Sequence, residues 1–205
     1  MIKLLSICGS PVPGSSTAYL LDLLASEIRN HVRGKIRHTR LDANELEIVP
    51  CQACGEDPSP RFCFFEDDLA EYYSLIASCD CLIFGSPIYF DSVSAQAKAV
   101  IDRCNCFRPP DYFNTDPKHS FLKRLPRKRP GGMILVGGEN TWYEGARRTI
   151  AGFFKWIEVV NQGAVMFAND DFDLRGVARD DKKTAGEIKG LAKKMARELN
   201  RAKNR

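Results

Sequence analysis

The chain is 205 residues long, 44% hydrophobic and 27% charged, with a net charge of +4. That length supports one generous domain with a substantial core, and average Gly and Pro content excludes collagen-like and low-complexity classes. The longest apolar runs, such as Gly163 to Ala168 and Cys81 to Phe84, are far too short to span a bilayer. Residues 182–205 hold nine Lys/Arg against two Glu, leaving −3 for the rest, and no aromatic residue interleaves with that basic run. A docking helix with a solvated basic face is therefore expected there, with no nucleic-acid partner. Met1 to Cys8 breaks at Gly9-Ser10-Pro11 and lacks the apolar stretch of a signal peptide. A cytoplasmic chain with no membrane partner is expected.

In chain order, Ile2–Cys8 reads as a buried strand and Thr17–Val32 as a helix with Leu20, Leu21, Leu24 and Ile28 on one face. Lys35–Leu41 alternates like a strand nearer the sheet edge. A Pro- and Cys-rich loop at 50–65 lies within the following connection, and Asp68 to Glu71 offers a capping box for a helix through Ser78. Cys81–Gly85 is the third strand and Val93–Cys104 the next helix. The aperiodic, Pro-rich stretch 107–130 is a long loop of the kind that is usually functional. Met133–Val136, Tyr143–Val160, Ala164–Ala168 and Lys182–Ala202 complete the alternation as strand, helix, strand, helix. Five strands alternating with helices, with no linker between them, predict a single α/β domain over 1–205. Its core is a doubly wound five-stranded parallel sheet, order 2-1-3-4-5, with helices on both faces.

The first strand runs into Gly9-Ser10-Pro11-Val12-Pro13-Gly14-Ser15-Ser16-Thr17 and then a helix. Hydroxyls and unpaired amides converge there on the positive end of a helix dipole, which suits a phosphomonoester. The alternative is a Ser-rich turn whose hydroxyls only cap the helix. Neither a Walker loop nor a dinucleotide fingerprint is present. The third strand ends in Gly85-Ser86-Pro87-Ile88-Tyr89-Phe90-Asp91-Ser92, and in the 2-1-3-4-5 order the two loops flank the crevice where such sheets bind ligands. Tyr89 and Phe90 are then either ring-covering aromatics or core.

These two loops, with Val93-Ser94-Ala95-Gln96, resemble the flavodoxin-like NADPH-dependent FMN reductase and iron–sulfur flavoprotein family over residues 1–170. The resemblance implies a flavodoxin-like fold and FMN. The FMN phosphate would lie on Ser10, Val12, Ser15, Ser16 and Thr17, and its ring against Pro87, Ile88, Tyr89 and Phe90. A third loop at Gly137, Gly138, Glu139 and Asn140 would face the ring or ribityl chain. It implies electron transfer from NAD(P)H to a quinone, a flavin or a similar small acceptor, and a homodimer or homotetramer. A ferredoxin-linked electron carrier, or a non-enzymatic flavin or metal sensor, is the alternative. Because the flavin carries the chemistry, no catalytic side chain is expected. Two departures stand out: the phosphate loop lacks basic or Asn residues, and Asp91 precedes Ser92, where its carboxylate near a flavin would lower the ring's potential.

Eight Cys in such a chain are read as reduced thiols, metal ligands or small buried hydrophobes. Family members with a cluster carry four Cys in a compact run. Here Cys51, Cys54 and Cys63 keep the spacing, but Asp57 stands in the third position, which argues against a [4Fe–4S] cluster. Cys8, Cys79, Cys81, Cys104 and Cys106 are expected to be structural, and His31, His38 and His119 solvated. The basic residues Lys118, Lys123, Arg124, Arg127, Lys128 and Arg129 form either a solvated charge run or a receptor for a nicotinamide phosphate or acidic partner. Trp142 and Tyr143 either close over the ring or start the fourth helix.

Overall fold

The computed structural model describes residues 1–114, 120–138, 140–169 and 177–202. Its strands are β1 (Ile2–Cys8), β2 (Ile36–Asp42), β3 (Cys81–Tyr89), β4 (Ser92–Val93), β5 (Arg129–Gly137) and β6 (Val159–Ala168). Its helices are α1 (Ser16–His31), α2 (Tyr73–Ser78), α3 (Ala95–Arg103), α4 (Glu144–Trp156) and α5 (Lys182–Ala202). The sheet order is β2-β1-β3-β5-β6, all parallel, with β4 folded back antiparallel on the end of β3. Setting β4 aside, this is the doubly wound order the alternation predicts.

Alternation along the strands supplies two cores, one on each face. Leu5, Ile7, Leu82 and Phe84 face α2, α3 and α4 with Ile76, Val100 and Ile150. Leu4, Cys81, Ile83 and Ile134 face α1 and α5, where they meet Leu20, Leu24, Ile188 and Met195. Among the described residues no helix is long and apolar enough to cross a membrane.

Several elements depart from the sequence pattern. Helix α4 stops at Trp156 and β6 starts at Val159, because Val159 and Val160, expected to end the helix, pair with Arg129 and Pro130 of β5, and Val93, expected to open α3, lies in β4. The capping box is not used: a 3-10 turn (Asp68–Tyr72) precedes α2, with Asp67 at its N-cap position and no side-chain cap bond. Both carboxylates instead hold the incoming segment, Asp68 accepting from the Glu47 N–H at 2.8 Å and Asp67 from the Val49 N–H at 2.9 Å. Strand β5 begins at Arg129, four residues earlier than its apolar run. The buried Arg129 guanidinium donates to the Ile76 carbonyl at 2.6 Å, and a Cβ on Gly131 would lie 2.3 Å from Val159, so glycine is required for the close pairing. Strand β3 continues past Gly85 to Tyr89 and turns into β4 through Phe90 and Asp91.

Candidate functional site

The phosphate-loop residues end β1 and open α1. Ser10, Ser15, Ser16 and Thr17 are all buried. Ser15 is the N-cap, its hydroxyl accepting from the Ala18 N–H at 3.4 Å, so part of the capping alternative holds. Ser10 Oγ accepts from the Val12 N–H at 3.2 Å, which gives Val12 a role in shaping the loop, its own amide being used. Gly14 supplies the left-handed turn at φ +67°. The first N–H groups of α1, at Ser16 and Thr17, have no intrahelical partner by geometry, and they stand at the positive end of a helix of 16 residues.

This loop is locked to the ring loop. The Gly9 N–H donates to the Gly85 carbonyl at 2.8 Å, and the Ser94 hydroxyl donates to the Gly9 carbonyl while accepting from the Ala97 N–H at 3.1 Å as N-cap of α3. A Cβ on Gly9 would sit 2.5 Å from the Ala97 Cβ, and one on Gly85 would sit 2.7 Å from Leu21 and 2.9 Å from Thr17. Two glycines thus allow α1, β3 and α3 to meet at one point, behind the turn that opens α1. Gly137 closes the third side, its hydrogen facing Ile88 Cδ1 at a distance that a Cβ would reduce to 3.3 Å. The loops after β1, β3 and β5 therefore stand together at the carboxyl edge of the sheet.

The turn between β3 and β4 carries the site's most unusual backbone. Phe90 and Asp91 both adopt left-handed conformations, at φ 52° and 56°, although neither is glycine. A bulky aromatic there is a true outlier. Phe90 is fully exposed and Tyr89 half exposed, while Ile88 is buried and Pro87 partly so. The Asp91 carboxylate accepts from the Gly145 N–H at 2.9 Å, at the start of α4. A Cβ on Gly145 would lie 2.1 Å from the Asp91 carbonyl oxygen, so glycine is required for the contact. The Asp91 carboxylate thus binds the N-terminus of α4, which fixes its position in the turn and favours its charged form. Trp142 is exposed and Tyr143 occupies the N-cap position of α4; Glu139 lies outside the described residues.

The other candidates fall elsewhere. His38 is half buried on β2, 2.8 Å from Ser6 Oγ, and His31 Nδ1 is 2.8 Å from the Glu27 carbonyl, so neither is simply solvated. His119 and Lys118 lie outside the described residues. Much of the basic stretch is paired internally: Arg124 with Asp57 at 3.3 Å, Lys123 with Glu158 at 3.3 Å, and Arg127 with Asp80. Together with the burial of Arg129, this makes the stretch a brace at the amino end of β5, away from the carboxyl-edge loops.

Cys51, Cys54 and Cys63 do come together. With Cys106 they line a cavity of about 300 Å³ walled by Phe64, Phe121 and Trp156 and by Arg103 and Arg108. Cys106 was not legible as part of this group, because it closes a different element far along the chain. Asp57 is not in the lining; its carboxylate pairs with Arg124. Cys8, Cys79, Cys81 and Cys104 are buried in the cores as expected. Burial pushes the Cys8 thiol up to about 11 and the Cys106 thiol up to about 12. Arg103 is 1% exposed and pairs with Asp67, and its Nη2 donates to Cys63 Sγ at 3.4 Å.

Residues 2–171 match the NADPH-dependent FMN reductase family. An iron-sulfur flavoprotein of Methanosarcina thermophila is 30% identical over 158 residues, covering 77% of this chain and 74% of that protein. An iron-sulfur flavoprotein of Methanocaldococcus jannaschii is 32% identical over 194 residues, covering 88% of each. Among solved structures, an apo NADH:FMN oxidoreductase superposes with a TM-score of 0.63 at 16% identity, covering 96% of this chain and 89% of that one. RosB superposes with a TM-score of 0.72 at 14% identity, covering 100% and 81%. These last two likenesses are of fold, and they agree with a flavodoxin-like architecture.

Proposed function

The chain belongs to the NADPH-dependent FMN reductase family of flavin-dependent oxidoreductases, and from that premise we propose that it binds FMN at the carboxyl edge of its sheet and moves electrons from NAD(P)H to a quinone, a flavin or a similar small acceptor. The observation that carries the reading is the locked pair of loops. A buried, hydroxyl-rich turn at the N-terminus of α1 is hydrogen-bonded through Gly9, Gly85 and Ser94 to a hairpin presenting exposed aromatic side chains. A flavin mononucleotide has a phosphate at one end and a flat ring at the other, and the residues fit both.

On this reading Ser10, Ser15, Ser16 and Thr17 hold the phosphate with hydroxyls and amides, which compensates for the missing basic residue. Val12 shapes that loop, Pro87 to Phe90 flank the ring, and Gly137 and Gly138 let backbone approach it. Bound FMN supplies hydride acceptance and electron delivery to the acceptor. The protein's own work is to fix the ring against the hairpin and keep one side of it open. The exposed Tyr89, Phe90 and Trp142 suit stacking by a planar acceptor or burial against a second copy, and we read the assembly as a homodimer or homotetramer.

The test is anaerobic mixing of the FMN-loaded chain with NADH or NADPH, followed by a quinone or free flavin. Fast bleaching and reoxidation with turnover are expected. A chain that binds no FMN, or one bleached by neither nucleotide, refutes the reading. The relatives named iron-sulfur flavoproteins favour a second reading, a ferredoxin-linked electron carrier. It predicts slow bleaching by nucleotide and fast reduction by a ferredoxin.

A further inference from the structure

We infer that Cys106 is the fourth thiolate of an iron–sulfur cluster site whose other three ligands are Cys51, Cys54 and Cys63. Within the compact run the ligand set is broken, since Asp57 replaces a thiol and its carboxylate is held by Arg124 at 3.3 Å. The missing thiol comes from another element. Cys106 lies in the 3-10 turn Cys104–Phe107 that follows α3 and faces the same cavity of about 300 Å³ as the three Cys of the run. The eight cysteines thus divide evenly: four line this cavity, and four are buried in the strand and helix cores.

The geometry separates a cluster from a single ion. A mononuclear zinc or iron site needs its sulfurs about 2.3 Å from one point. Among the described residues no three Cys, His, Asp or Glu side chains gather closely enough to hold one metal ion. A polynuclear cluster makes a different demand, because each thiolate binds a separate iron at its own corner. Cys51, Cys54, Cys63 and Cys106 all line one cavity of about 300 Å³, which is the arrangement such a cluster calls for.

The walls also suit an anionic, sulfur-rich guest. N–H donors already reach two of the thiols, Arg103 Nη2 to Cys63 Sγ at 3.4 Å and Asn105 Nδ2 to Cys51 Sγ at 3.9 Å. Arg103 and Trp156 each hold a buried N–H, at Nε and Nε1, that finds no acceptor among the described residues. Buried donors are ordinarily satisfied, and thiolate or sulfide sulfur accepts such bonds. The turn bearing Cys54 has Ala53 at φ 49° and Gly55 at φ 72° on either side of it, and its exposed position leaves it room to swing inward.

The experiment is anaerobic purification and reconstitution of the full chain with ferrous iron and sulfide, followed by desalting. Iron and acid-labile sulfide are assayed per chain, and extracted FMN is assayed separately, so that loss of the flavin reading leaves this result interpretable. The wild type should retain iron and sulfide in equal amounts. Cys106→Ser should lose them as completely as Cys51→Ser, whereas Cys104→Ser, a buried thiol outside the cavity, should retain them. A wild type without iron and sulfide overturns the assignment, as does one equivalent of metal without sulfide. So does a Cys106→Ser chain of native far-UV dichroism with full cluster content.

Discussion

Replacing Gly145 by Ala sets two physical effects against each other within one helix. Ala is favoured over Gly in helices by about 1 kcal/mol, so propensity alone predicts a stabilised α4. At this position, however, the new methyl would lie 2.1 Å from the Asp91 carbonyl oxygen and 2.9 Å from its carboxylate. The hairpin must retreat, and the 2.9 Å bond from the Gly145 N–H to Asp91 goes with it. Overpacking costs about 1–3 kcal/mol and a hydrogen bond to a charged group contributes about 1.5–3 kcal/mol, two overlapping losses that exceed the propensity gain. A net destabilisation of about 1–3 kcal/mol follows, or roughly 2–4 °C in Tm for each kcal/mol. Gly152, also in α4, has no atom within 4 Å of its added Cβ and serves as the control, where Ala should stabilise by up to about 1 kcal/mol. Urea denaturation measures both variants, and titration with FMN reads the displaced ring loop, weaker for Gly145→Ala and unchanged for Gly152→Ala. Equal stabilisation of the two, with equal FMN affinity, would refute the claim that Asp91 and Gly145 hold the hairpin.

Ser16→Ala/Thr17→Ala should weaken FMN more than riboflavin, because only FMN carries the phosphate; equal losses by fluorescence titration would remove these residues from the phosphate site. Arg103→Met strands Asp67 beside the cavity and should cost about 3–5 kcal/mol in urea denaturation, whereas Lys98→Met at the exposed Lys98–Asp102 pair should cost less than about 1 kcal/mol. Burial holds His38 below its ordinary pKa, so the unfolded chain binds the extra proton as pH falls from about 6.5 through the folded value. Stability should drop over that window and the drop should shrink in His38→Gln; identical pH dependence of the two urea midpoints would contradict this. Sedimentation at micromolar concentration should give a mass at least twice the 23.0 kDa of one chain, and a monomer's mass would count against self-association.

What was legible in the sequence was whatever is decided locally. The stripe Ile188, Leu191, Ala192, Met195 and Leu199 gave α5 its bounds, and all five are buried. The phosphate loop was legible because its glycines and hydroxyls are contiguous. The start of β5 was hidden, since Arg129-Pro130-Gly131-Gly132 has the chemistry of a loop, and only the closeness of Val159 explains Gly131. The β3–β4 turn was hidden for a related reason. A two-residue hairpin with both φ positive normally carries Asn or Gly, and here Phe90-Asp91 is held by a helix 54 residues further on. Cys106 belongs to the same class: nothing in its local spacing reports which cavity it faces.

The two sites stand at opposite ends of the same pair of helices. Helix α3 begins at Ser94, bonded to the phosphate loop, and ends at Arg103, which lines the cysteine cavity. Helix α4 begins beside Asp91 and ends at Trp156, in that same cavity wall. A helix of nine residues is about 13 Å long, so a methyl added at one end of α3 or α4 makes no contact with groups at the other. Substitutions at Gly145 or Ser16 should therefore alter flavin affinity while leaving iron and sulfide content unchanged, and Cys106→Ser should do the reverse. Coupling transmitted between the ends requires a helix to shift as a rigid body. A variant that moved both readouts together would locate that shift in α3 or α4, because they are the helices that touch both sites.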